Sequence, residues 1–147
     1  MHYNLRNYGF FRYFCNRFAD ILGNHTTLDK TRQDKMLDFN TIEKLDKIAT
    51  PFYYYDMDLF HKTVDHVAEL ASAHKIKVHY AIKANVERRL LEYISAKGFG
   101  ADCVSGNEVL HAHSCGFPAG KIVYAGVGKS DKEIYNALML GIEAFNC

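Results

Sequence analysis

A lysine at the end of an apolar strand is the first residue in this chain whose type and place could do chemistry. Lys83 stands in Tyr80-Ala-Ile-Lys-Ala-Asn85, where Ile76, Val78, Tyr80 and Ile82 alternate with Lys77, His79 and Ala81. That alternation is the period of a β-strand. A neutral lysine amine condenses with an aldehyde to give an imine, and apolar surroundings favour the neutral form. A solvated lysine at a strand end looks the same from position alone, so both readings stand at this point. Gly126-Val-Gly-Lys-Ser130 offers a second chemistry, because it follows a strand and opens a helix as the end of a phosphate loop does. The phosphate loop needs a glycine separated by four residues from its Gly-Lys-Ser, and that place is Val123. Without that glycine successive amides do not wrap a phosphate, and Ser130 reads as a helix cap. His111 and His113 are two apart and share no helix face. Lacking a partner at i+4, they read as ordinary surface or half-buried histidines. Cys15, Cys103, Cys115 and Cys147 form no C-x-x-C pair and no zinc spacing. They read as reduced thiols, with Cys103 and Cys115 in the core and Cys103 on the wall of any site beside it.

The elements that must position these residues follow a regular cycle. Pro51-Phe-Tyr-Tyr-Tyr55 has β propensity. Asp58 is expected to cap a helix whose apolar face is Phe60, Val64, Val67, Ala68 and Ala71. After the strand through Ile82, the spacing of Val86, Leu90, Tyr93, Ile94 and Lys97 restores a helix that Gly98 ends. Phe99–Val104 reads as a strand, and Ser105-Gly-Asn-Glu108 as a capping box for a helix closed by Gly116 and Pro118. Lys121–Ala125 reads as a third strand, Ser130-Asp-Lys-Glu133 as a second capping box, and Ile142–Cys147 as a fourth strand after Gly141. The strands begin near 76, 99, 121 and 142, a repeat of 21 to 23 residues. Strands alternating with helices predict a parallel α/β architecture, either a doubly wound sheet or a (β/α)8 barrel. Four such units are half a barrel. The expectation is a chain cut short after its fourth strand, since a parallel strand is ordinarily covered on both faces.

Composition bounds the rest. Of 147 residues, 48% are apolar and 24% charged, with a net charge of +1. That is a globular composition, and it advertises neither nucleic acid nor an anionic membrane as partner. The closest approach to a membrane span, Phe10 to Leu22, is broken by Arg12, Arg17 and Asp20. The expected compartment is the cytoplasm. Residues 1–35 differ from the remainder: seven of the first eighteen are Tyr or Phe, and six Lys/Arg face three Asp/Glu. A basic aromatic anchor, an extension packed on the domain, and upstream sequence translated from a start before Met36 all fit. The third is favoured because the periodic pattern begins only after Met36. The expected organisation is an irregular segment over 1–35, a lead-in over 36–50, and a partial barrel over 51–147.

Four words of sequence then carry a resemblance. Thr50-Pro-Phe-Tyr-Tyr-Tyr-Asp56, His79-Tyr-Ala-Ile-Lys-Ala-Asn85, Gly100-Ala-Asp-Cys-Val-Ser-Gly-Asn-Glu108, and Lys121-Ile-Val-Tyr-Ala-Gly-Val-Gly-Lys129 with Glu133-Ile134 resemble the fold-type III pyridoxal-phosphate decarboxylases, which act on ornithine, arginine and diaminopimelate. The likeness runs from about Ala49 to Cys147. Ala125-Gly-Val-Gly-Lys129 is similar to the diaminopimelate branch, whereas ornithine decarboxylases typically carry Asn-Pro-Cys-Lys there. Asn107 departs from the Gly more usual in that branch.

The resemblance implies the first half of an alanine-racemase-like barrel that binds pyridoxal 5'-phosphate. It implies that Lys83 holds the cofactor, that Asp102 lies beside it at the neighbouring strand end, and that Ala81 packs beneath the cofactor ring. It places Glu108 at a glutamate position of the family; a cofactor role and a bland role as partner of Ser105 stay equally open, and Asp102 retains a turn reading. The reaction implied is decarboxylation of meso-2,6-diaminopimelate to L-lysine and carbon dioxide by an enzyme that is a homodimer at full length. Another decarboxylase of the family, of ornithine, arginine or carboxynorspermidine type, and a half-barrel repurposed for binding are the alternatives. The family's glycine-rich phosphate loop, its Glu-Pro-Gly-Arg word facing the ring nitrogen and its substrate-binding Cys-Glu-Ser word do not occur in these 147 residues. The 147 residues alone are therefore expected not to decarboxylate.

Overall fold

The computed structural model describes residues 39–146, in two units that meet in the chain between Phe60 and His61. The expectations for residues 1–35 lie outside the described residues.

In the first unit a short helix, α1 (Phe39–Leu45), occupies the lead-in. The Pro51–Tyr55 run forms no strand despite its β propensity. Such propensity is a fit to a pleated surface made by neighbours, and Tyr53, Tyr54 and Tyr55 are exposed. Helix α2 (Met57–Ala73) starts two residues earlier than expected. Asp56 Oδ1 accepts the Leu59 amide at 2.9 Å, so Asp56 rather than Asp58 caps it. Asp58 lies in the first turn, where a carboxylate suits the helix dipole.

In the second unit, β1 (His79–Ala81), β2 (Gly100–Cys103), β3 (Ile122–Tyr124) and β4 (Ala144–Phe145) form one parallel sheet in sequence order. Helices α3 (Arg88–Ala96), α4 (Gly106–Ser114) and α5 (Asp131–Leu140) fill the three crossovers. Register partners are 21 residues apart at each step: His79 with Gly100, Ala101 with Ile122, Val123 with Ala144. The strands are shorter than their apolar stretches: Ile76 is exposed, and Val78 and Ala125 add only single cross-strand bonds, to Gly100 and Cys103. Each crossover helix is followed by a glycine with φ between 77° and 93°, a conformation that a side chain disfavours.

Register partners on parallel strands share a face. Ala101, Cys103, Ile122 and Tyr124 are at most 1% exposed. They belong to a core with Ile82, Leu91, Ile94, Val109 and Phe117, each worth ~1.5–3 kcal/mol on burial when large. The opposite face carries His79, Ala81, Asp102 and Val123, all half-buried. A doubly wound sheet would cover both faces with helices. One covered face and one open face is the arrangement of a barrel wall.

Candidate functional site

The C-terminal ends of the strands form the rim where α/β barrels carry chemistry. Lys83 lies there, in a single 3-10 turn, Ile82–Ala84, that continues from β1. Ile82 is fully buried and pins the turn to the core, while Lys83 is exposed. The apolar surround expected for this lysine is thus corrected: Ile82 turns into the core and Lys83 faces solvent. Among the described residues its ammonium has no ion-pair or hydrogen-bond partner.

Ala81 and Asp102 are register partners on adjacent strands and share the open face. The structure therefore brings together the two residues expected nearest to Lys83. Cys103 points the other way. It is fully buried, and burial, then the charges of Glu108 and Asp102, push its thiol up to about 12. The expectation that it lines the site wall is corrected by the alternation of β2.

Glu108 is engaged in the rim backbone. Ser105 Oγ accepts the Glu108 amide at 3.2 Å, as a cap should. The return bond of the expected capping box is not made to Ser105: Glu108 Oε2 accepts the Val104 amide at 2.8 Å. The carboxylate thus holds the β2–α4 connection. The second capping box is complete, with Ser130 and Glu133 each serving the other's amide.

The Gly126–Ser130 word is structural. A Cβ at Gly126 would sit 2.0 Å from the Val104 carbonyl oxygen, so the glycine lets two rim loops touch. Lys129 Nζ donates to the Gly126 carbonyl and, at 2.8 Å, to that of Asn146, and lies 5.2 Å from the Tyr124 ring centroid. It braces the β3–α5 loop against the end of β4.

His111 does have an i+4 neighbour, which sequence reasoning overlooked: Cys115 Sγ lies 3.8 Å from its Nε2, and that nitrogen also meets the Val86 carbonyl at 2.9 Å. Among the described residues no group of three metal-ligating side chains forms.

Sequence reasoning also missed a cluster at the opposite, N-terminal end of the strands. Glu143 pairs with Lys77 at 2.6 Å and His79 at 3.0 Å, and both hold its carboxyl below the usual range. The imidazole reaches from β1 to the residue preceding β4 over Gly100, where a Cβ would lie 2.3 Å from the ring. A hollow of about 440 Å³ opens beside it, lined by Lys77, His79, Gly100, Lys121 and Glu143 among others. It lies at the far end of the strands from Lys83. Residues 64 positions apart meet here, and no local pattern could have announced them.

Comparison with known proteins agrees with this geometry. The family described as pyridoxal-dependent decarboxylase, pyridoxal binding domain, matches residues 58–147. Diaminopimelate decarboxylase of Bacteroides thetaiotaomicron is 48% identical over 106 residues, covering 71% of this chain and 28% of that protein. The Helicobacter pylori enzyme is 40% identical over 108 residues, 74% of this chain and 27% of that one. The crystal structure of Helicobacter pylori diaminopimelate decarboxylase complexed with L-lysine superposes with a TM-score of 0.63 at 36% identity, over 72% of this chain and 27% of that one. The chain thus spans little more than a quarter of the length of the curated relatives it matches. A lysine on the rim of a four-strand barrel wall, in a segment matched over most of its described length, places this chain among the pyridoxal-dependent decarboxylases, in their pyridoxal binding domain.

Proposed function

We propose that this chain is the pyridoxal-binding portion of a diaminopimelate decarboxylase, which converts meso-2,6-diaminopimelate to L-lysine and carbon dioxide in the cytoplasm, as a homodimer at full length. The observation that carries the reading is Lys83, exposed on the C-terminal rim with no partner among the described residues, two residues beyond Ala81, whose register partner is Asp102. The diaminopimelate decarboxylases among the matched relatives favour this substrate over ornithine or arginine.

The residues present fit the aldehyde end of pyridoxal phosphate: a free primary amine, a small side chain beside it and a carboxylate on the next strand. When bound, the cofactor supplies an electron sink for the pair left behind as a carboxylate departs. Lys83 offers its amine to hold the cofactor, and takes or gives the proton at Nζ as that bond is made and released. Asp102, the register partner of Ala81 on the next strand, would present its carboxylate to the cofactor on the open face. The methyl of Ala81 leaves the open face low enough for a flat ring. Glu108 keeps the rim backbone in place through Val104.

The test is borohydride reduction of the chain with pyridoxal phosphate, followed by peptide mapping. The reduced adduct is expected on the peptide containing Lys83 and absent from Lys83→Ala. Equal labelling across surface lysines would overturn the assignment. Carbon dioxide release from meso-diaminopimelate by these 147 residues should not exceed that of Lys83→Ala; turnover at ~1 per second or more would show a complete site.

A further inference from the structure

One carboxylate on the rim does more than cap its helix. Glu133 Oε2 accepts the Ser130 amide at 3.0 Å and the Ser130 hydroxyl at 2.7 Å, which is the capping box. That motif needs only one oxygen. The other, Oε1, crosses to the Gly106 amide at 3.0 Å, 27 residues earlier in the chain. Gly106 is the first residue of α4. Its amide is one of the unpaired donors at a helix start, and here a second helix supplies the acceptor. The approach leaves no room for a side chain at Gly106, because a Cβ would lie 2.7 Å from Glu133 Cγ and 2.9 Å from Oε1.

Chemistry around the carboxylate agrees with this bridge. The Ser130 amide, the Ser130 hydroxyl and the Gly106 amide hold the Glu133 carboxyl down to about 2. Burial, then the charge of Glu133, push the neighbouring Tyr124 phenol up. Tyr124 is the last residue of β3 and 1% exposed, so the bridge rests on the core. The two loops joined are β2–α4, which follows Asp102 and contains Val104, and β3–α5, which contains Gly126 and Lys129.

We infer that Glu133 is a positioning residue, which fixes the β2–α4 loop against the β3–α5 loop so that the rim carrying Asp102 keeps its shape beside Lys83. The inference rests on the functional reading above for the identity of what the rim receives. Its geometry is independent of that reading.

The decisive variant is Glu133→Gln in the full chain. Glutamine is also a capping-box residue, so the start of α5 is retained. Its NH2 replaces one of the two oxygens, which face amides on different loops, so with the carbonyl kept on Ser130 a donor and not an acceptor meets the Gly106 amide. Gly106 amide exchange, measured by NMR without cofactor, should quicken on the order of 10-fold. Helical circular dichroism should stay at the wild-type level, and pyridoxal phosphate affinity at Lys83, read from visible absorbance, should weaken several-fold. Ser130→Ala removes the cap partner and leaves Oε1 on Gly106; it should keep wild-type Gly106 exchange and affinity. If the glutamine chain fails to fold, Glu133→Asp keeps the charge but is one methylene too short to reach Gly106, and should show the same two losses. Unchanged Gly106 exchange or unchanged cofactor affinity in a folded Glu133 variant would overturn the inference. So would Ser130→Ala matching Glu133→Gln, since the cap alone would then carry the effect. Failure of the wild-type chain to take up pyridoxal phosphate at Lys83 would overturn the functional reading and with it the positioning role, while the exchange arm would still report whether the bridge exists.

Discussion

Gly126 and Gly128 differ by two positions and by everything around them, which makes them a matched pair. Alanine at Gly126 would put a Cβ 2.0 Å from the Val104 carbonyl oxygen and 2.8 Å from its carbon. Both are backbone atoms held by the Glu108 bond to the Val104 amide, so no flexible tip can turn aside. An ordinary carbon–oxygen contact lies beyond ~3 Å, so the two loops must part by about 1 Å. Overpacking of this kind costs ~1–3 kcal/mol, which lowers the melting temperature by roughly 4–8 °C per kcal/mol in a domain of this size. Alanine at Gly128 meets nothing within 4 Å. It should be neutral or slightly stabilising, by up to ~1 kcal/mol, because it restricts only the unfolded chain. Thermal and urea denaturation of both variants beside wild type is the assay. A displaced rim should also weaken pyridoxal phosphate uptake in Gly126→Ala and leave it unchanged in Gly128→Ala. Equal melting temperatures for the two variants would refute the claim that the Gly126 word exists to let the loops touch.

Acid should uncouple the rim. The Glu133 carboxyl is held at about 2 against an ordinary 4.5, so its contribution is complete above pH 4.5 and is lost as pH falls through about 2. The stability gap between wild type and Glu133→Gln should be flat from neutral pH down to about 5 and then close; a gap that widens in acid would contradict this. Cys103 and Cys115 are at most 2% exposed, and the Cys103 thiol is pushed up to about 12, so iodoacetamide should label neither until the chain unfolds. Rapid labelling of Cys103 in the native chain, located by mass spectrometry, would place it on the open face after all. Phe117 is fully buried just past the end of α4, and Phe117→Ala should cost ~3–5 kcal/mol in urea denaturation. A loss under 1 kcal/mol would mean that its pocket collapses without it.

The repeat was legible in the sequence because each βα unit carries its own punctuation. Alternating apolar residues, a serine at each of two helix starts and a glycine after each helix are local signals, and the register confirms a spacing of 21. Lys83 was legible for the same reason, as a residue at a strand end inside a specific word. What escaped depends on contacts made across the sheet. Asp56 and Asp58 are equivalent as caps until the path of the chain decides which carboxylate faces an amide. The return bond of Glu108 goes to Val104 instead of Ser105, a choice set by the bend at the end of β2. The second oxygen of Glu133 and the reach of His79 to Glu143 join residues from different βα repeats, and their partners carry no mark. Gly100, Gly106 and Gly126 were the faint signals available: each stands where a neighbour occupies the space of a side chain.

The order of strands in the sheet bears on how the wall is made. Each strand pairs with the one synthesised just before it, at a constant separation of 21 residues. The sheet can therefore be laid down in the direction of translation, each new strand adding to an edge already formed, with no early strand waiting on a distant one. Domains commonly assemble in this N-terminal-first direction during synthesis, and short loop separations keep the entropic cost of each addition nearly the same. The exception is the His79–Glu143 pair, 64 residues apart. It can close only after α5 and the approach to β4 are in place, so it acts as a latch fastened last across strands already laid down.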